Sequence, residues 1–437
     1  MDEVYVNRRT AKLGTVQGDL VVEDGAVEAV GPDGVKVEGV VHCRGYAEFT
    51  GGLTAHQIIS VRGDVKIRGA LNADLVEVKR GDLEVDGDTD AKILRVSRKL
   101  TALGNLVSEN VDVGGSVEAH RDVKAHRVHV GGSLRVGGDA DIDAIDVGGS
   151  ATVEGRTRAN TIDVGGTFRG GGPVEAEDVD VGGAFKAEDT VSIRDLDVGG
   201  TIHLSGGAVE GTIDVGGTLK SDEPLEFGDM DVGGTVKLTG GKGHSIQVGG
   251  TLRSEGDLQF DRMEVGGTVK IEGDARGREI EVGGTLRSDG ALVLEERLRV
   301  GGKVSVSHDL KAGEIRVGGK VEAYSVVTRK FIETTDLITT RGAKAARIEI
   351  GKRGEAEGPL VGQVIIVKDR SRVEDIHGDD VQVRGGCRTG SIYGRRVRIE
   401  GGCDVGSVQF TESLRADPSV RFRTAPQKTE KLPDPPL

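Results

Sequence analysis

A chain of 437 residues with 71 glycines, 9 prolines and no tryptophan is neither collagen-like nor disordered in composition: glycine keeps no three-residue step, and Val, Ile and Leu return at fixed phase. With 72 acidic and 58 basic residues the formal net charge is −14, which argues against a general nucleic-acid binder. No basic segment followed by an apolar run opens the sequence, no stretch of about 18 apolar residues occurs, and there are only 3 cysteines, so the expectation is a cytoplasmic protein in a reduced compartment.

Residues 1–42 carry strand-like pieces such as Asp19–Val22 and Gly34–Val37 without clear phase, and read as an irregular cap or imperfect coils. From Cys43 a period emerges through Val61, Val78 and Val96. It becomes explicit in a Val-Gly-Gly phrase whose valine recurs at Val113, Val130, Val147, Val164, Val181, Val198, Val215, Val232, Val248, Val265, Val282, Val300 and Val317. Eleven of those twelve steps are 16 or 17 residues and one is 18, the signature of a tandem solenoid. Residues 43–324 form the regular array. Residues 325–349 blur it around Phe331–Thr335 and a basic patch at Arg341, Lys344 and Arg347. The period resumes over 350–423 at Ile350, Val367, Val383 and Ile399, and the proline-bearing residues 424–437 read as a disordered tail.

With the valine as position 0, positions −2 and +4 are apolar (Ile213 and Leu219 in one coil), position −1 is polar, and Gly-Gly occupies +1 and +2. Apolar–polar–apolar alternation on both sides of a glycine break describes two half-buried strands meeting at a corner, where glycine supplies either a positive φ or a close approach. The remainder of the 17 residues makes a more variable third side, with Leu225 and Phe227 or Leu258 and Phe260. The fold class is therefore all-β: one long parallel β-helix, or β-solenoid, of about 17 residues per coil, taken as right-handed because parallel crossovers nearly always are. At position +6, Leu204, Ser221, Leu238, Ser254, Ile271, Ser288 and Val306 alternate large and small, as an interdigitated inward column would.

The same phase places surface residues in columns. Position −1 supplies Asp146, Asp163, Asp180, Asp197, Asp214 and Asp231, followed by Gln247, Glu264 and Glu281; position +5 supplies Arg169, Lys186, His203, Lys220, Lys237, Arg253, Lys270 and Arg287. These are the candidate surface ladders, expected to keep the faces solvated and to offset one another across the Gly-Gly corner, with lateral pairing of molecules as the functional reading. A Ser/Thr column at position +3, including Thr218 and Thr235, reads as a hydroxyl ladder, and its charged neighbours make it a poor match to an ice-binding face. Cys387 and Cys403 share position +4 on neighbouring coils, close enough to bridge but expected as buried thiols, and Cys43 as a core residue. His120, His126 and His129 lack metal-ligand spacing, and no catalytic constellation or phosphate loop stands out, so no catalytic, cofactor-binding or metal residue is assigned, no cofactor is expected, and the chain is not expected to be an enzyme.

The looser phrases Val61-Arg62-Gly63-Asp64-Val65 and Arg80-Gly81-Asp82-Leu83-Glu84-Val85, with the Val-Gly-Gly coils, resemble the bactofilins, over roughly 43–410. That resemblance implies a right-handed β-helix that polymerises end to end into non-polar filaments without nucleotide and serves cell shape or scaffolding. Members of that family usually have a handful of coils, against some twenty in this array, and the apolar membrane-targeting start of some members is not evident in Met1–Asn7. The expected partners are copies of the chain itself, with other scaffold or cell-envelope proteins as further candidates; nucleic acid is not expected, and membrane association is left open. The alternative functions are a ligand-binding β-helical rod, adhesin-like or carbohydrate-binding, or a β-helical carbohydrate-active enzyme. Residues 1–340 carry 40 basic and 58 acidic side chains (net −18) and residues 341–437 carry 18 and 14 (net +4), an asymmetry that head-to-tail contact could use.

Overall fold

One coil shows how the alternation becomes structure. Val123–Val130 forms an eight-residue strand buried at Val123, Ala125, Val128 and Val130, with the exposed pair His126-Arg127 interrupting the alternation at its middle. That pair is one corner, Gly131-Gly132 is the second, and strand Ser133–Val136 buries Leu134 and Val136 before the Gly137-Gly138 turn closes the third. Each side so contributes two inward side chains, and the next coil repeats them in register, with Val123 on Ala140, Val128 on Ile145 and Leu134 on Ala151. Burial of these side chains, worth about 1.5–3 kcal/mol each for the larger aliphatics, drives the stacking.

The computed structural model describes residues 3–436. It is an all-β, all-parallel solenoid of about 25 turns with no helix, at the spacing of about 17 residues read from the sequence. The chain divides into two compact units between Glu223 and Pro224.

In the first unit, coiling begins at β1 (Val4–Asn7), β2 (Thr10–Leu13) and β3 (Thr15–Val16). Val4 pairs with Leu20, Leu20 with Val41 and Val41 with Ile58, giving steps of 16, 21 and 17 residues, so the early segment that lacked phase consists of imperfect coils. Later coils carry stacked core aromatics, with the Phe168 and Phe185 rings 5.2 Å apart and nearly parallel.

In the second unit, Phe227 and Phe260 are buried on the third side, and each ring lies where a side chain on the next coil would be: a Cβ at Gly243 would sit 2.0 Å from the Phe227 ring, and one at Gly277 2.4 Å from that of Phe260. In the alternating column, buried Ser254 donates its hydroxyl to the Gly256 carbonyl at 2.9 Å, so the small residue also caps the following turn. The stretch expected to be irregular, 325–349, is largely strand: Phe331–Ile350 pairs with Glu314–Thr328 through two register shifts. Thr334 stands at the valine position there, and its hydroxyl donates to the Gly319 and Asp336 carbonyls, both at 2.9 Å, which makes a buried threonine tolerable. Cys387 and Cys403 are free and buried, and burial pushes the Cys387 thiol up to about 11.

The tail departs from the expectation of disorder. Thr424 N donates to Gly406 O, Gln427–Lys428 pairs with Gln409–Phe410, and Thr429 N donates to Phe410 O at 2.9 Å, so the backbone continues to be satisfied by the preceding coil. Residues 432–435 then lie beside the stacked rings of His377 and Tyr393, 4.5 Å apart. The first two residues of the expected cap and the last of the expected tail lie outside the described residues.

The glycine corners also resolve. None of the Val-Gly-Gly glycines has a positive φ; the close approach is what requires them, since an added Cβ at Gly283 would lie 2.4 Å from Gly266 O and one at Gly301 2.3 Å from Gly283 O. After residue 350 the corner changes to a left-handed residue, occupied in turn by Arg353 (φ 57°), Arg370 (φ 60°), Gly386 (φ 71°) and Gly402 (φ 74°).

Candidate functional site: the charged faces

The acidic ladder is a real column. In the first unit Asp146, Asp163, Asp180, Asp197 and Asp214 follow one another in register, outward on strands whose flanking residues are buried. Asp231 opens the corresponding column of the second unit, followed by Gln247, Glu264 and Glu281. Carboxylates at strand spacing, about 4.8 Å, repel one another. Burial, and then the charges of Asp214 and Asp180, hold the Asp197 carboxyl above the usual carboxylate range. Together with Asp178 and Asp195, four members of the ladder, Asp163, Asp180, Asp197 and Asp214, line an acidic groove of about 370 Å³. Asp146 alone of the six faces a basic ring, its carboxylate 2.9 Å from His129 Nδ1.

The basic ladder is placed as expected but is partnered differently. Its side chains do not offset the aspartate column across the glycine corner; they reach two residues along their own strands to carboxylates that each bridge two coils. Glu188 accepts from Arg169 and Lys186, both at 2.7 Å, Asp222 lies 2.5 Å from Lys220 and 2.6 Å from His203, and Glu272 lies 2.8 Å from Arg253 and 2.7 Å from Lys270. Arg287 pairs with Asp289 at 2.9 Å, whereas Lys237 stacks in register with Arg253. The cations hold Glu188, Asp222 and Glu272 below the usual carboxylate range, in each case led by the hydrogen bond from the lysine.

Two sets of residues went unread in the sequence. One is a run of turn aspartates that accept a backbone N–H from the next coil: Asp64 from Asp82, Asp82 from Lys99, Asp122 from Asp139 and Asp139 from Arg156. The Gly-Asp pairs at Gly63-Asp64, Gly81-Asp82 and Gly138-Asp139 are their signal. The other is a sign change in column −1 of the second unit. After Glu264 and Glu281 the column continues with Arg299 and Arg316, then returns to Glu333. Reading position −1 past Val282 would have found it. These side chains edge a groove of about 600 Å³ floored by the backbone of Gly283, Gly301 and Gly318. Arg316 stacks over Phe331 at 4.8 Å, and the nearest carboxylates to the two arginines, Glu281 and Glu333, stand at 3.7 and 3.6 Å, within ion-pair reach but beyond hydrogen bonding.

Histidines 126 and 129 each face a single aspartate, Asp143 and Asp146, on the following coil, and the described residues contain no group of three or more His, Cys, Asp or Glu side chains arranged to hold a metal. Among the described residues no helix is long and apolar enough to cross a membrane. Comparison with protein-family models, with curated proteins and with solved structures found no match to this chain. The fold is thus shown as a long β-solenoid, and the resemblance to the bactofilins rests on the coil pattern alone.

Proposed function

We propose that this protein is a structural scaffold that assembles copies of itself through coil-end contacts, in the manner of the bactofilins. The observation that carries the reading is at β1, β2 and β3, each of which hydrogen-bonds on one side only among the described residues, to the strands that follow. Val4 N and Arg8 N donate into the next coil and Arg9 O accepts from Ala26 N, so by the alternation of a parallel ladder Tyr5 N, Asn7 N and Thr10 N point to the open edge. A parallel edge with unpaired donors is a template for another strand, and among the described residues neither a proline nor a bulge guards this one, although Arg8, Arg9 and Lys12 lie along it. The half-buried Val4, Ala11 and Leu13 add apolar surface to the same edge. The scaffold would support cell shape or localise partners, among them other scaffold or cell-envelope proteins, and needs neither nucleotide nor catalytic centre.

Negative-stain microscopy over a concentration series tests this. Filaments that lengthen with concentration, and that are lost when Tyr5→Pro and Thr10→Pro remove outward edge donors, are the expected result. Isolated particles of one length at every concentration refute the reading.

A further inference from the structure

A sign change inside an otherwise uniform column invites the question of what it faces. In the second unit four consecutive coils carry two charged columns on one side, with Glu279 alone of the eight side chains buried. Column −1 reads Glu264, Glu281, Arg299, Arg316, and column −3, two residues earlier on the same strands, reads Arg262, Glu279, Arg297, Glu314. In signs these are minus, minus, plus, plus, beside plus, minus, plus, minus. Both columns invert their sign on reflection about the step between the second and third coils.

We propose that this side is an interface with a second copy of the same chain, packed face to face and antiparallel about a two-fold axis that runs along the strands between the coils of Glu281 and Arg299. That operation sets Glu281 opposite Arg299 of the partner subunit and Glu264 opposite Arg316 of the partner subunit. In the other column it sets Glu279 opposite Arg297 of the partner subunit and Arg262 opposite Glu314 of the partner subunit. Every contact occurs twice, as an isologous interface requires. All eight positions meet opposite charge.

The alternatives are excluded by the same charges. A two-fold along the stacking direction keeps each residue on its own coil: midway between the columns it sets Glu281 opposite the partner's Glu279 and Arg299 opposite the partner's Arg297, and on either column it sets that column opposite itself. Moving the antiparallel axis by one coil sets Arg299 opposite the partner's Arg316, or Glu264 opposite the partner's Glu281. One coil further out, Gln247 meets the partner's Glu333 without conflict; beyond that Asp231 would meet the partner's Glu349, so the match ends there. The aspartate ladder of the first unit, with one sign at Asp146 through Asp214, has no such self-complement.

The side chains are disposed for this use. Arg299 and Arg316 are half exposed, and their loose carboxylate neighbours leave guanidinium donors for a second acceptor. Arg297 is already hydrogen-bonded to the recessed Glu279 at 2.7 Å, and Arg262 lies 3.6 Å from that same carboxylate, so column −3 contributes through its field more than by new contacts. Such an interface is governed by charge, selects register and orientation, and weakens with salt.

The test is sedimentation velocity on protein carrying Tyr5→Pro and Thr10→Pro, so that end-to-end assembly is not what is scored. At about 0.05 M salt this protein is expected to sediment as a dimer and at about 0.5 M as a monomer, since the Debye length falls severalfold over that range. Arg299→Glu with Arg316→Glu makes column −1 uniformly acidic, and Glu264→Arg with Glu281→Arg makes it uniformly basic. Each pair is expected to weaken self-association by roughly 100-fold or more, and an equimolar mixture of the two proteins is expected to restore the dimer. Circular dichroism matching the parent confirms that both fold. A parent that stays monomeric at low salt, an acidic variant that still dimerises, or a mixture that fails to associate each overturns the proposal. Because the edge substitutions are constant, these outcomes are independent of filament formation.

Discussion

At Gly283 the methyl group of an alanine would fall 2.4 Å from the carbonyl oxygen of Gly266, a distance that only backbone displacement relieves. The same is true up the column, because each corner stacks directly on the one before. Gly283→Ala is therefore expected to cost about 2–3 kcal/mol, read as a lower denaturation midpoint at unchanged slope. Gly386 needs glycine for a different reason: its φ is 71° and the nearest atom to an added Cβ is Arg370 Cγ at 3.5 Å, so the cost of Gly386→Ala is the left-handed conformation alone, about 1 kcal/mol. By the same logic Arg370, a non-glycine residue at φ 60°, is a position where glycine is expected to gain a fraction of about 1 kcal/mol. A loss of stability for Arg370→Gly would show that its side chain contributes more than its backbone costs. The sequence located these corners correctly but left two reasons open for the glycine. A repeat states that a residue type is required, and only the stacked geometry distinguishes steric exclusion from a dihedral.

Within a coil, the strands were legible because alternation at period 2 repeats on the inward columns, and Leu204, Leu238 and Ile271 are buried where the phase put them. The ion pairing was not legible. Whether Lys186 turns toward the aspartate column or along its own strand depends on the carboxylate available at Glu188, and alternation alone does not specify that choice. Two electrostatic consequences of opposite sign follow. Glu349 is held below the usual carboxylate range by Lys368 at 2.6 Å and by Arg347 at 3.1 Å, so its contribution to stability is present above the unfolded carboxylate pKa and is lost as pH falls through the lower folded value. Asp197 is raised, so its carboxyl favours the fold when protonated and opposes it once pH rises through the folded value. Asp197→Asn is expected to raise the melting temperature at neutral pH, with the gain shrinking as pH falls below the carboxylate range; an equal gain at both extremes would rule out charge as its cause. The turn aspartates act differently again. Asp139 accepts from Arg156 N at 2.8 Å, and Asp139→Ala leaves that donor without its carboxylate at an expected cost of about 1 kcal/mol in chemical denaturation.

For the whole molecule, the consequence of stacking is that stability is local. A coil touches the coil before and the coil after, so the free energy of the array is approximately a sum over coils and their interfaces, and opening need not be all-or-none. The division into two compact units at Glu223 and Pro224 sharpens that expectation. Gly165→Ala, whose added Cβ would lie 2.5 Å from Gly148 O, strikes the first unit. Gly266→Ala, at 2.5 Å from Gly249 O, strikes the second with the same chemistry. Hydrogen exchange on the two variants is expected to show complementary maps. The first should lose amide protection around strands Ala140–Val147 and Thr157–Val164 with the second unit unchanged. The second should lose it around strands Ser245–Val248 and Arg262–Val265 with the first unit unchanged. Uniform loss across the chain in either variant would mean that the coils unfold as one cooperative block, and nearest-neighbour additivity would then fail for this solenoid. Graded loss confined to each unit would instead mean that an interface built on one side of the second unit can be altered without loosening the coils that carry the aspartate ladder.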